Sequence, residues 1–320
     1  MSILLIKTVK PVTNEQVDFY YDNQNSIIFD KDMNKIVYDE SIKSEYTPVF
    51  ATSIDTPATK SNDIKVLKIQ LGLSCNYECS YCNQRFVPHA DETTKDDVQP
   101  FLDSMDSWIK SDEFKVEFWG GEPFVYWKTL KPLAEGIKAK YPKATFGIVT
   151  NGTLLDKEKN EWLENLGFGV GISHDGPGYH IRGLDPFDNK EQLDMIQDLW
   201  QRLYPKGRIS FNVMMHKHNQ SKSQVVDWFK LRLNYDPPIG EGGFIDPYDE
   251  GGKASCLDSY EEHINYRVNA FADIRNGKTG RFGIVERKIK DFIKSIITNR
   301  PASSLGQKRS EEHTSELQSH

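Results

Sequence analysis

From Lys65 onward, short apolar strings of strand character alternate six times with amphipathic stretches of helical period, and no other feature of this 320-residue sequence narrows the fold as far. The strings are VLKIQL at 66–71, KVEFW at 115–119, TFGIVT at 145–150, GVGIS at 169–173, RISFNVMM at 208–215 and a last one at 239–245. The spacing predicts helices between them over 97–109, over 127–140, onward from an N-cap at Asp156, over 190–203 and over 225–233. The first carries Val98, Phe101, Leu102, Met105 and Trp108 on one face, and the third carries Trp162, Leu163 and Leu166. Apolar strands separated by helices predict a parallel α/β sheet or barrel, because parallel neighbours need a crossover connection. Two more helices, over 260–276 and 283–298, are predicted after the sixth strand.

Residues 1–64 read as a separate β-rich extension, in which strings such as SIIF and KIVY are parted by Asp/Asn turns and TPATKSND forms a polar linker. The expected plan is therefore the extension at 1–64, a core at 65–250, a helical segment at 251–308 and a tail at 309–320. That tail, RSEEHTSELQSH, matches the forward translation of a common sequencing adapter. The expectation is that it is an artefact and that the natural sequence continues past Lys308.

Every unusual polar or glycine cluster lies just after a strand, where parallel sheets and barrels build their sites. The first is CNYECSYC, with Cys75, Cys79 and Cys82; Cys256 is the only other cysteine. Four cysteines, three of them together, argue against a disulfide framework and for a reducing, cytoplasmic setting. A structural zinc site needs four ligands, usually from paired knuckles, and no second pair exists. Cys256 has no flanking metal-site spacing, and a redox dithiol leaves Cys75 unexplained. Three thiolates with one position left open suit a [4Fe–4S] cluster whose remaining iron is free for a substrate or cofactor.

The net charge of −7 disfavours general binding to nucleic acid or an anionic membrane. No apolar run reaches the roughly 18–20 residues that span a bilayer, and the start lacks the pattern of a signal peptide. GFGVG at 167–171 precedes a strand rather than opening a helix, so it is not a phosphate cradle, and the eight histidines show no ligand spacing.

The remaining strand ends each carry two readings. In WGGEP, Gly120 and Gly121 admit a close backbone approach and Glu122 offers a carboxylate to an amine; the bland reading is a turn with Pro123 opening a helix. Thr150 and Asn151 of VTNGT face a ligand or simply end a strand in an Asn-Gly turn. Ser173 and Asp175 lie in SHDGPG. HKHN at 216–219 and GEGG at 240–243 read as solvated rim loops.

Taken together, the cysteine triplet, Tyr81 just before its last cysteine, the GGEP segment after the next strand and the DGP segment resemble the radical S-adenosylmethionine (SAM) superfamily over about residues 65–245. The resemblance implies a partial (β/α)6, TIM-like barrel whose Cys75, Cys79 and Cys82 bind a [4Fe–4S] cluster, with SAM chelating the fourth iron. It implies that Gly120, Gly121 and Glu122, followed by Pro123, contact the methionyl amine. It also implies that Thr150 and Asn151 face the ribose and methionine, that Ser173 and Asp175 line the site, and that Arg182 matches a downstream family arginine. Tyr81 either packs over a flat ligand or is a buried aromatic, and His174 is expected to be a packing or side-facing residue.

The implied chemistry is reductive cleavage of SAM to a 5′-deoxyadenosyl radical that takes hydrogen from a substrate. The pattern resembles most the SPASM-type enzymes that modify peptides and proteins. That implies a peptide or protein substrate, an external flavodoxin- or ferredoxin-like electron donor, and auxiliary [4Fe–4S] clusters in sequence beyond Lys308. No nucleic-acid or membrane partner is expected. Three alternatives stand beside this reading: a radical SAM enzyme acting on a small molecule or RNA, the latter disfavoured by the charge; a non-catalytic iron–sulfur protein, disfavoured by GGEP; and a stretch of chain that is inert by itself although the longer parent is an enzyme.

Overall fold

A computed structural model describes residues 3–9, 13, 15–22, 25, 27–36, 62–87, 92–235 and 237–275. The helix expected over 283–298, most of the linker, the end of KIVY and the adapter-like tail lie outside the described residues. The chain divides into two units, Lys60–Ala270 and a second built from Met1–Thr59 with Phe271–His320.

In the N-terminal part, β1 (Ile3–Val9), β2 (Gln16–Asp22) and β3 (Ile27–Phe29) form an antiparallel sheet in that order. The Asp/Asn turns expected there are side-chain turns. Asp22 accepts from Asn25 N at 3.3 Å and Asn25 Nδ2 at 2.7 Å, and Asp30 accepts from Asp32 N at 2.9 Å and Asn34 N at 2.8 Å. The strand Ile3–Val9 was not marked by any turn signal; it is held by pairing with β2, Ile6 opposite Phe19.

The larger unit alternates β4 (Val66–Gln70), α1 (Val98–Trp108), β5 (Lys115–Trp119), α2 (Trp127–Lys140), β6 (Thr145–Thr150), α3 (Lys157–Leu166), β7 (Gly169–Ser173), α4 (Lys190–Leu203), β8 (Ile209–Met215), α5 (Lys222–Leu233) and β9 (Ile239–Phe244). A short α6 (Glu250–Lys253) and α7 (Tyr260–Arg275) follow. The six strands are all parallel in sequence order, β4 to β9, and among the described residues β4 and β9 do not pair with each other, so the barrel is partial.

Alternation within the strands sorts the two faces. On β8 the pattern is strict: Ile209, Phe211, Val213 and Met215 are buried, while Ser210, Asn212 and Met214 are half-buried. The buried set joins Val116, Phe118, Phe146, Ile148, Val170 and Ile172 beneath Leu130, Ile137, Leu163, Ile196, Leu199 and Phe229 of the helices. The other face, turned to the barrel interior, carries Lys115, Glu117 and Trp119 of β5 and the small Gly169, Gly171 and Ser173 of β7.

Helix ends follow from local chemistry. Asp156 caps α3 by accepting from Lys159 N at 2.8 Å, as its position predicts, and Gly167 closes that helix at φ 76°. α5 starts earlier than its apolar period suggested, at Lys222, because Ser221 supplies the cap.

Candidate functional site

The cysteine loop leaves β4 and is bound into the strand ends around it. Leu71 N–H donates to Trp119 O at 2.9 Å, Gly121 N–H to Gly72 O at 3.1 Å and Glu122 N–H to Ser74 O at 3.0 Å. A Cβ at position 121 would lie 2.4 Å from both Leu73 O and Ser74 O. The close approach that these glycines permit is thus that of the cysteine loop's own backbone. On the far side Ser80 N–H donates to Ile181 O at 2.8 Å, Tyr77 Oη to Leu184 O at 2.5 Å, and Asn83 Nδ2 to Asp246 O at 3.1 Å.

Within the loop Cys75 is exposed and Cys79 and Cys82 are half-buried. Tyr77 N–H donates to Cys75 Sγ at 3.3 Å. Burial pushes the Cys79 thiol up to about 11 and also raises Cys75, where Glu122 and Cys82 add to the effect. A bound metal would reverse this, since coordination deprotonates a thiol outright. Among the described residues no three His, Cys, Asp or Glu side chains gather round one point that a single ion could occupy. Each thiolate of a four-iron cluster binds a different iron, so the three sulfurs need not converge; a mononuclear site would require it. Cys256 stands apart, buried with its Sγ 3.5 Å from Ile245 O.

Glu122 is 1% exposed, and its carboxylate accepts from Phe124 N at 3.1 Å, Thr150 Oγ1 at 2.8 Å and Asn151 N at 2.7 Å. Burial raises its pKa despite these donors. Pro123 opens a short 3-10 turn, as the turn reading of GGEP expects. Thr150 and Asn151 are also engaged within the protein. Asn151 Nδ2 donates to Asn76 Oδ1 at 2.8 Å, and Asn76 Nδ2 donates to Thr153 Oγ1 at 2.7 Å, fastening the loop beside Cys75 to the end of β6.

A second group gathers round Asp175. Its Oδ2 accepts from Tyr81 Oη at 2.7 Å, its Oδ1 from Met214 N at 3.0 Å, and Arg182 Nη1 stands 3.6 Å from Oδ1 while donating to Tyr81 Oη at 2.9 Å. Burial would raise the Asp175 pKa, yet His216, Arg182 and Tyr81 hold it below the usual carboxylate value. Burial likewise works against the Arg182 charge, but Tyr81, Asp175 and Cys79 push its pKa higher still. Tyr81 and Arg182 therefore cluster, half-buried, round the fully buried Asp175 carboxylate, and Glu122, Thr150 and Asn151 form a second, buried group. Ser173 belongs to neither; it ends β7, in register with Asn212. His174 is a packing residue. Its Nδ1 accepts from Gly176 N–H at 3.0 Å, its Nε2 faces Asp185 Oδ1 at 3.0 Å, and its ring stacks on Phe187 at 4.7 Å.

A cavity of about 590 Å³ borders the loop, lined by Asn76, Tyr77 and Ser80 on one side and by His180, Arg182 and Ser255 on the other. This lies within the roughly 300–1,000 Å³ usual for small-molecule sites. Ser80 Oγ, on the wall of this cavity, is buried with no hydrogen-bond partner among the described residues. His216 was read as part of a solvated rim loop. It is fully buried, with Nε2 3.5 Å from Asp175 Oδ2, because glycine at 178 leaves room for its ring: a Cβ there would lie 2.2 Å from His216 Cε1. The donor set, the pinned loop and this orphaned hydroxyl fit a three-cysteine cluster with an organic ligand beside it.

Known proteins agree with this geometry. The family model of the Radical SAM superfamily matches residues 69–231, just over half of the chain. Over 220 residues the chain is 27% identical to a cysteine-type anaerobic sulfatase-maturating enzyme of Clostridium perfringens, covering 62% of this chain and 56% of that protein. Over 156 residues it is 26% identical to the radical SAM cyclopropyl synthase TigE of Paramaledivibacter caminithermalis, covering 42% of this chain and 33% of that one. The chain thus spans about a third to a little over half of the length of these relatives. The solved structure of native anSMEcpe with bound AdoMet and Cp18Cys peptide superposes with a TM-score of 0.57 at 21% identity, over 75% of this chain and 68% of that one, which establishes the shared fold. With the cysteine loop, the GGEP contact and the open six-stranded barrel all in place, this chain belongs to the radical SAM superfamily.

Proposed function

We propose that the chain is the catalytic core of a radical SAM enzyme that takes a hydrogen atom from a peptide or protein substrate. The observation that carries the reading is the fusion of the cysteine loop to the GGEP turn through Gly121 N–H, Glu122 N–H and the glycine contact at position 121. That fusion fixes the three thiols and the GGEP turn in one frame.

When bound, a reduced [4Fe–4S] cluster supplies the electron that cleaves SAM to a 5′-deoxyadenosyl radical, the species that removes hydrogen from carbon. The residues of this chain hold and orient. Cys75, Cys79 and Cys82 would hold the cluster. Gly120, Gly121 and Glu122 with Pro123 present backbone and carboxylate to the methionyl amine. Arg182, a half-buried guanidinium on the cavity wall, suits the methionyl carboxylate. Tyr81, Thr150, Asn151, Ser173 and Asp175 shape the surrounding walls. The electron comes from an external flavodoxin- or ferredoxin-like donor. Auxiliary clusters belong to sequence that such enzymes carry beyond the barrel. The peptide substrate is supported by the names of the relatives, a sulfatase-maturating enzyme and a structure holding a bound peptide.

The test is anaerobic reconstitution with iron and sulfide, followed by reductant and SAM. 5′-Deoxyadenosine is expected from the wild type and not from Cys79→Ala; its absence in the former or its persistence in the latter refutes the mechanism. Deuterated peptide and small-metabolite pools then separate the substrate classes. Deuterium recovered in 5′-deoxyadenosine from the peptide pool alone is the expected result, and recovery from the metabolite pool alone overturns the peptide reading.

A further inference from the structure

Cys75 is the exposed member of the triplet, and the two residues before it are held by a knot of hydrogen bonds that no sequence motif announces. Glu92 Oε1 accepts from Leu73 N at 3.3 Å, Ser74 N at 3.1 Å, Ser74 Oγ at 2.8 Å and Tyr126 Oη at 2.7 Å. Tyr126 Oη in turn accepts from Ser74 N at 2.6 Å. Three separate segments meet here: the entry to the cysteine loop, the chain that returns from it toward α1, and the turn that follows GGEP. Gly72 makes room for the phenol, since a Cβ there would lie 2.3 Å from Tyr126 Oη. Thr93 Oγ1 adds a bond to Leu71 O.

We propose that Glu92 and Tyr126 form a latch that sets where Cys75 stands relative to the GGEP turn, and thereby how well SAM meets the cluster. The proposal rests on the radical SAM reading above. Both are positioning residues, acting on Cys75 through Ser74 rather than touching the cofactor. The carboxylate suits this task because a charged acceptor strengthens every bond made to it. Its partners, Tyr126 first and then Ser74, hold it ionised with a pKa of about 2. The other end of the loop has its own anchor in Ser80 N–H to Ile181 O, so loss of the latch should displace Cys75 without releasing the loop.

The test compares the wild type with Tyr126→Phe, Glu92→Gln and the double variant, all reconstituted anaerobically. Iron per chain, the melting temperature, the SAM-induced change in the electron paramagnetic resonance spectrum of the reduced cluster, and the Kd for SAM are measured. Each single variant should keep wild-type iron and a melting temperature within a few degrees, blunt the spectral response, and raise the Kd about tenfold. The double variant should be no worse than the weaker single, because the two side chains act as one unit. Unchanged Kd and spectra overturn the latch, as do effects that add independently or that simply track loss of iron or stability. A wild type that takes up no cluster overturns instead the reading beneath it.

Discussion

His174 is structural in the fold, as its sequence reading expected, and its hydrogen bonds show what it holds. It sits inside the DGP segment, yet its Nδ1 is occupied by Gly176 N–H and its Nε2 by Asp185, which Arg232 also holds at 3.2 Å. Burial lowers its pKa from 6.5, so the folded chain keeps it neutral. As pH falls through about 6.5 the unfolded chain takes up this proton and the folded chain does not, so stability is complete above that value and declines below it. His218, lowered by burial and by neighbouring His180 and His216, contributes with the same sign. Urea unfolding at pH 7.5 and 5.5 should therefore show a loss on acidification. His174→Gln should shrink that loss while costing about 1–3 kcal/mol at pH 7.5. An undiminished pH dependence in the variant would show that His174 is not its source.

At the scale of elements, the site is a set of strand ends made to touch. β4 and β5 run in register from Val66 opposite Lys115 to Gln70 opposite Trp119, so the cysteine loop and the GGEP turn necessarily emerge side by side. Contact between them then depends on a missing side chain. Gly121→Ala would press a methyl group onto two carbonyls, and the loop rather than the barrel should yield, at a cost of about 1–3 kcal/mol. Iron retained after desalting should fall in Gly121→Ala while the helical signal melts within a few degrees of wild type. Full iron retention would mean that the loop is free to accommodate the methyl group.

At the scale of the whole larger unit, a continuous apolar layer lies between strands and helices. Phe211 of β8 lies at its centre, fully buried, with its ring 4.4 Å from Phe229, 5.3 Å from Trp200 and 6.0 Å from Phe187. Phe211→Ala should cost about 3–5 kcal/mol of unfolding free energy. Denaturant titration should show a lower midpoint with an unchanged slope; a change below about 1 kcal/mol would mean that this layer is looser than its burial implies.

The strands and helices of that unit were legible in the sequence because strand and helix periods are local properties, read from a few neighbouring side chains. All six strands and four of the five helices between them fall within a residue or two of their expected bounds, and the three cysteines single out the loop after β4 by their spacing alone. What the sequence could not disclose were contacts between residues far apart along the chain. Glu92 and Tyr126 belong to no motif and become a pair only when two strand ends meet. His216 reads as a polar loop residue until Gly178 opens a place for its ring beside Asp175. Local pattern determined the elements and the spacing of the cysteines on one loop; tertiary packing alone decided which polar side chains share a buried site, since hydrogen bonds and close approach depend on distance in space rather than along the chain.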